Sequence, residues 1–80
     1  MNKYLTFKIF DFNELTSFYF LKKIKIFDLK GFLYIYPNCS PLITFVKKSD
    51  IVLFSFQKEL VIPSKEGILE IKENNVILFI

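Results

Sequence analysis

Two pairs of carboxylates are the first residues that could carry chemistry. Asp11 lies three positions before Glu14, and Glu70 lies three positions before Glu73. General acid–base catalysis requires two carboxyl groups that are held across a cleft in different environments. Glu70 shares one face of an alternating segment with Lys72, which is typical of a solvated strand surface. The pattern therefore favours surface charges over a catalytic pair.

Cys39 is the only cysteine, and the sequence contains no histidine. A structural zinc site needs several Cys or His ligands, and a Ser–His or Cys–His nucleophile needs a histidine. No lysine lies within five residues of Cys39 to activate its thiol. The two glycines, Gly31 and Gly67, are too far apart to form a phosphate-binding loop. The composition predicts a protein that is not an enzyme and that has no cofactor, no metal and no internal disulfide.

The positive charge of the chain has a simple compositional explanation. The sequence has eleven basic residues, all lysine, and a formal net charge of +3. Lys, Phe, Ile, Asn and Tyr have AT-rich codons and are common, whereas Ala and Arg, with GC-rich codons, are absent. Bias in an AT-rich genome explains this list. The lack of arginine also removes the usual bidentate reader of phosphate and guanine.

One segment is a candidate for binding nucleic acid. Lys22, Lys23 and Lys25 follow the aromatic segment 18–20, and basic strands with exposed aromatics bind single strands in oligonucleotide-binding barrels. Such a site needs several aromatics on one face, but here the aromatics alternate between faces. A free-standing small β-barrel that binds single-stranded nucleic acid is therefore kept as the alternative function.

The elements that must position these residues have a period of two. Apolar residues alternate with others along segments 5–9, 24–26, 52–56, 69–71 and 76–80, and this alternation with many Phe, Ile and Val residues indicates strands. Turn signals recur roughly every 8–12 residues, which is typical of an all-β protein. They lie at 11–13, 28–31, 37–41, 47–50, 57–59, 63–67 and 73–75. We expect residues 1–80 to form a single β-sandwich domain of two packed, mostly antiparallel sheets, with about eight to ten short strands.

Some strands are apolar on both faces, notably 18–21 and 76–80. One face of an antiparallel sheet is normally exposed to water. A partner that covers an outer face would explain this pattern, and AT-rich drift would explain it equally well.

The most informative segment is 31–44, a strand followed by a turn between Pro37 and Pro41 and then a second strand. It resembles the F-type ATP synthase epsilon subunit family, which carries a Gly-x-Leu-Gly-Ile-x-Pro-x-His-Ala-Pro-Leu-x-Thr run at the same distance from the N-terminus. The matching positions are Gly31, Leu33, Ile35, Pro37, Pro41, Leu42 and Thr44. A second run, 67–71 followed by Asn75 and Val76, resembles the Gly-Gly-x-Leu-Glu-Val strand of the family and the strand that follows it.

The resemblance implies a non-catalytic central-stalk subunit of the proton-translocating F-type ATP synthase. Such a subunit binds the gamma subunit and the membrane c-ring and couples proton flow to ATP synthesis. The resemblance implies that the protein has no nucleic-acid partner. It also implies a peripheral location on the cytoplasmic face of the cell membrane, where the protein contacts the membrane only through the ATP synthase complex. Many family members continue into a hairpin of two inhibitory helices, and the end of this sequence at Ile80 implies that this helical hairpin is lacking.

The resemblance also implies two sets of contact residues. The c-ring contacts are Gly31, Phe32, Leu33 and Tyr34. The gamma contacts are Asp11, Cys39, Ser40, Leu42 and Thr44. Phe32 and Cys39 depart from the family pattern, since Cys39 stands where the family has His. A charged residue at Leu42 or Thr44 is expected to weaken gamma binding without unfolding the domain.

The sequence predicts no membrane span and no signal peptide. The longest uncharged run, 31–46, is interrupted by Pro37 and Pro41, whereas a spanning helix needs about 20 apolar residues. The N-terminal residues Met1 to Tyr4 lack the pattern of a signal peptide.

Overall fold

Alternating apolar residues form eight strands in the computed structural model, which describes residues 3–80. Met1 and Asn2, which belong to the expected 1–80 domain and to the N-terminal segment that argued against a signal peptide, lie outside the described residues. The strands are β1 (Leu5–Asp11), β2 (Glu14–Asp28), β3 (Gly31–Ile35), β4 (Leu42–Val46), β5 (Ser49–Ser55), β6 (Glu59–Ser64), β7 (Gly67–Lys72) and β8 (Asn75–Phe79). No helix that could cross a membrane occurs within residues 3–80.

The strands form two layers that share the long strand β2. The first layer has the order β4-β7-β8-β1 and ends with the first half of β2. The second half of β2 lies between β3 and β5, and β6 pairs with the outer edge of β5. Among the strands of residues 3–80, the pair of β1 with β8 is the parallel one. The expected sandwich of two packed, mostly antiparallel sheets is confirmed, with eight strands.

A bulge in β2 allows this strand to pass from one layer to the other. Leu5 pairs with Leu21 and Phe7 pairs with Phe18, so that β2 has one residue more than β1 between these pairs. Phe20 lies at this point with a φ of 59°, a left-handed conformation that is rare for a bulky residue. A bulge of this kind bends a strand and increases its twist.

The core lies between the two layers and contains the inward-facing residues of seven strands. Phe7 is fully buried and stacks on Phe18, with ring centroids 6.3 Å apart. The other buried apolar residues are Leu5, Leu21, Ile24, Ile26, Ile35, Val46, Ile51, Leu53, Leu69, Ile71, Val76 and Leu78. The period of two in the sequence thus places these side chains on the inner face of each sheet.

The turns occupy the positions that the sequence predicts, and local polar groups hold several of them. Glu73 and Asn74 both have positive φ between β7 and β8, which matches the two-residue turn that suits a twisted hairpin. Asp28, buried at the end of β2, accepts a hydrogen bond of 2.8 Å from the backbone N–H of Lys30. The carboxylate of Asp28 therefore accepts the hydrogen bond that this backbone N–H would otherwise donate to water in the turn before β3.

Candidate interaction surfaces

The expected c-ring segment forms β3, which lies at an edge of the second layer because it pairs only with β2. Gly31 has a φ of 132°, which favours glycine strongly. Phe32 and Tyr34 point to the outer face and are exposed, whereas Leu33 packs against the core. The four residues are thus contiguous, but only Phe32 and Tyr34 offer large side chains to a partner.

Cys39 and Ser40, two of the expected gamma contacts, are exposed in the loop between β3 and β4. A pair of hydrogen bonds ties this loop to the turn between β7 and β8. The backbone N–H of Asn38 donates to Oδ1 of Asn74 at 2.6 Å, and Nδ2 of Asn74 donates to Oδ1 of Asn38 at 3.2 Å. The loop therefore has a fixed position at one end of the first layer.

Leu42 and Thr44, two further expected gamma contacts, lie on the inner side of β4. Leu42 pairs with Ile71 and Thr44 pairs with Leu69, and both partners are buried. Residues directly opposite in a sheet share one face. Leu42 nevertheless keeps 39% of its surface exposed, and Thr44 is half-buried, so that a partner can still reach both residues. Because both lie on the core side of the strand, the exposed residue Ser40 gives a cleaner test of a partner contact.

Asp11, the last expected gamma contact, lies at the other end of the first layer. Its carboxylate forms an ion pair of 3.6 Å with Lys65. Thr6, at the opposite end of β1, bonds through its N–H to the carbonyl of Asn74, next to the loop that holds Cys39. Asp11 is five positions after Thr6 along the strand, which corresponds to about 17 Å. A partner that contacts both Asp11 and Cys39 must therefore extend along the first layer.

The outer face of the second layer combines lysines with aromatic rings, and we call it the lysine–aromatic face. Lys25 lies beside Tyr34 across the strands, and Lys23 lies beside Phe54. The ammonium of Lys25 is 4.2 Å from the ring centre of Phe32, and that of Lys23 is 4.3 Å from Phe54. These are distances of favourable cation–π contacts. The rings are therefore capped by ammonium groups of the chain itself.

The aromatic partners of these lysines differ from those that the sequence suggested. Phe18 packs towards the core against Phe7. Phe20 lies in the bulge and meets Tyr4 edge to face, with ring centroids 5.8 Å apart. The rings beside Lys23 and Lys25 come from β3 and β5 instead, and Lys22 lies 5.4 Å from the ring centre of Phe56, just after β5. The alternation of Phe32, Tyr34 and Tyr36 was the available signal, but the pairing of β3 with β2 was needed to connect it to the lysines.

The outer face of the first layer carries a row of exposed apolar side chains, which we call the apolar row. One residue comes from each of five adjacent strands, in the order Phe45, Ile68, Phe79, Phe10 and Leu15. Each is at least 37% exposed. The rings of Phe10 and Phe79 stack at 5.6 Å with an interplanar angle of 8°. The row crosses the strands at a right angle, and sequence reasoning missed it because its members are distant along the chain.

The carboxylates that the sequence analysis considered as catalytic pairs lie on the surface of the sheets. Asp11 and Glu14 face each other across the hairpin of β1 and β2. Glu70 lies on the outer face of β7, between Ile43 and Ile77 on the neighbouring strands. Within the described part of the chain, no three His, Cys, Asp or Glu residues lie close enough to hold a metal ion.

The sequence matches none of the protein-family models, and a search of curated proteins also gives no match.

Proposed function

We propose that this protein is a non-catalytic central-stalk subunit of the proton-translocating F-type ATP synthase, of the epsilon type. It would bind the gamma subunit and the c-ring and help to couple proton flow to ATP synthesis. One observation carries the proposal: the two sequence runs that resemble the epsilon family lie side by side in the fold. Leu42 and Thr44 of the first run pair with Ile71 and Leu69 of the second.

The glycines of the two runs give further support. Gly31 adopts a φ of 132°, and a side chain at Gly67 would press against the backbone of Phe79. Both glycines therefore stand where the fold itself requires them. Two runs whose glycines are required and whose strands are paired are more informative than two isolated matches along the sequence.

The physical demands of a rotor subunit agree with this architecture. A part that transmits torque needs a rigid body and two contact surfaces rather than catalytic groups. The sandwich has a continuous buried core, and its exposed surface includes both the end of β3 around Phe32 and the fixed loop around Ser40. In this proposal the first surface meets the c-ring and the second meets the gamma subunit, at the cytoplasmic face of the membrane.

A charge in the exposed loop tests the gamma contact without disturbing the core. We expect Ser40→Glu to weaken the binding of the gamma subunit of the same organism about tenfold or more, because an unpaired charge would be buried in the contact. Binding is measured by titration of purified gamma subunit with the labelled chain.

Gln57→Glu is the matched control, since it adds the same charge in the exposed turn between β5 and β6 and should leave the affinity unchanged. Equal affinities of the Ser40→Glu variant and the parent chain would place the gamma contact elsewhere.

The lysine–aromatic face favours a second candidate function, the binding of single-stranded nucleic acid. Lys23 and Lys25 could contact phosphates, and Tyr34 and Phe54 lie beside them. Base stacking would require the ammonium groups to leave the rings that they now cap, and this cost makes the rotor proposal the stronger one.

Titration with labelled oligonucleotides distinguishes the two functions. The rotor proposal predicts a dissociation constant weaker than about 100 µM at about 150 mM salt, the weak end of non-specific binding. A nucleic-acid protein would bind more tightly, with an affinity that falls steeply with salt. The double variant Lys23→Gln, Lys25→Gln would abolish such binding. Tight binding that this double variant abolishes would overturn the rotor proposal in favour of nucleic-acid binding.

A further inference from the structure

The apolar row is a set of exposed apolar side chains in a regular arrangement. Phe45 is 59% exposed and Leu15 is 51% exposed at its two ends, and Phe79 lies at its centre. Contiguous apolar patches on a protein surface mark sites of association. The row spans all five strands of the first layer, so that a flat partner surface of similar width would cover it best.

The next row of the same face carries two opposite charges in a symmetric arrangement. Its members across the five strands, in order, are Ile43, Glu70, Ile77, Lys8 and Ser17. Glu70 and Lys8 lie one strand to either side of Ile77, which is on the central strand β8. Within this row the charges therefore reverse sign on reflection across β8, while the apolar row remains apolar.

We propose that this face binds the same face of a second copy of the chain. The two-fold axis of this dimer runs parallel to β8 and lies between the facing first layers of the two copies. Rotation about this axis places β8 of one copy over β8 of the other. It also places β7 of each copy over β1 of the other, and β4 over β2. Glu70 of each copy then faces Lys8 of the other, twice in the complex. In the apolar row, Ile68 faces Phe10 of the second copy, and Phe79 faces its own counterpart.

The size of the face indicates a weak dimer. Beyond the charged row lies a third row, which contains Lys72, Asn75 and Thr6 on the three middle strands. Five strands about 4.8 Å apart and these three rows of side chains about 7 Å apart cover about 24 by 20 Å on each copy. The two copies together bury about 1,000 Å², which is at the lower limit for a specific interface. We expect a dissociation constant of about 10–100 µM, typical of weak complexes. The dimer concerns this chain alone and does not depend on the rotor proposal.

Charge reversal tests both the face and the symmetry of the dimer. The chain and its variants are compared by sedimentation equilibrium over about 1 µM to 1 mM at low salt, where charge contacts are least screened. Glu70→Lys places two lysines opposite each other at both contacts, and Lys8→Glu does the same with two glutamates. Each single variant should raise the dissociation constant of the dimer about tenfold or more. The double variant restores both contacts and should return it to within about threefold of the parent.

Variants of the second layer serve as controls with the same change in net charge. Glu59→Lys matches Glu70→Lys, and Lys58→Glu matches Lys8→Glu, since both control residues are exposed near the turn between β5 and β6. Circular dichroism checks that every variant is folded. A chain that stays monomeric throughout the range would overturn the proposal. A dimer whose dissociation constant does not change in the single variants, or is not restored in the double variant, would also overturn the proposal.

Discussion

Replacement of Phe7 by alanine is expected to remove most of the free energy of unfolding of the protein. Phe7 is fully buried and stacks on Phe18 between the two layers. Removal of a buried phenylalanine side chain costs about 3–5 kcal/mol, because the neighbours close the cavity only in part. A domain of 80 residues has a free energy of unfolding of about 5 kcal/mol. Little or no stability would remain, and urea unfolding followed by circular dichroism measures the loss.

Phe12→Ala provides a control that removes the same atoms from the surface. Phe12 is 94% exposed in the turn between β1 and β2, so that its loss should change the free energy of unfolding by less than about 0.5 kcal/mol. If Phe7→Ala and Phe12→Ala had similar effects, the position of the core between the layers would be wrong.

Replacement of Gly67 by alanine should cost about 2–3 kcal/mol, although only one methyl group is added. The new Cβ would press against the carbonyl oxygen of Phe79 and lie 3.4 Å from Cα of Ile80. Both atoms belong to the backbone of the neighbouring chain segment, so that no side chain can rotate to make room. The strands would have to separate where β7 begins, and overpacking of this kind typically costs 1–3 kcal/mol. The measurement is again the free energy of unfolding in urea.

Glu66→Ala is the matched control at the preceding, exposed position. It removes a surface charge and should change the free energy of unfolding by less than about 0.5 kcal/mol. An unchanged stability of Gly67→Ala would mean that the glycine is not required by the fold, and one support of the rotor proposal would be lost.

The strands and turns could be predicted from the sequence because they depend on neighbouring residues. The alternation of Leu5 and Phe7 predicts the buried face of β1, and residues 73–75 predict the turn before β8. The sandwich followed from the number and spacing of such segments. These signals are local, since the side chains of a strand alternate between its faces whatever its partner is.

The surfaces could not be predicted, because they depend on which strands are neighbours and in which register they pair. The apolar row joins residues as distant as Phe10 and Phe79, which meet only because β1 and β8 pair in parallel. The rings that Lys23 and Lys25 contact likewise come from other strands. A shift of register by one residue would reverse the faces.

The expected gamma contacts show the same limit at the level of single residues. The sequence places Leu42 and Ser40 two positions apart, but Leu42 lies on the core side of β4 and is 39% exposed, whereas Ser40 is exposed in the loop. Proximity in sequence did not show which of the two residues lies away from the core side of the sheet. The resemblance to the epsilon family remains the basis of the proposed partner, and the structure identifies the exposed loop as the place to test it.

Co-expression of the tagged chain with the gamma subunit of the same organism tests the rotor proposal most directly. The two proteins are purified together and separated by size exclusion in moderate salt, with the tagged chain alone as the reference. The proposal predicts a stable complex of one chain with one gamma subunit, which contains no second copy of the chain. A chain that elutes in the same position with and without the gamma subunit would contradict it.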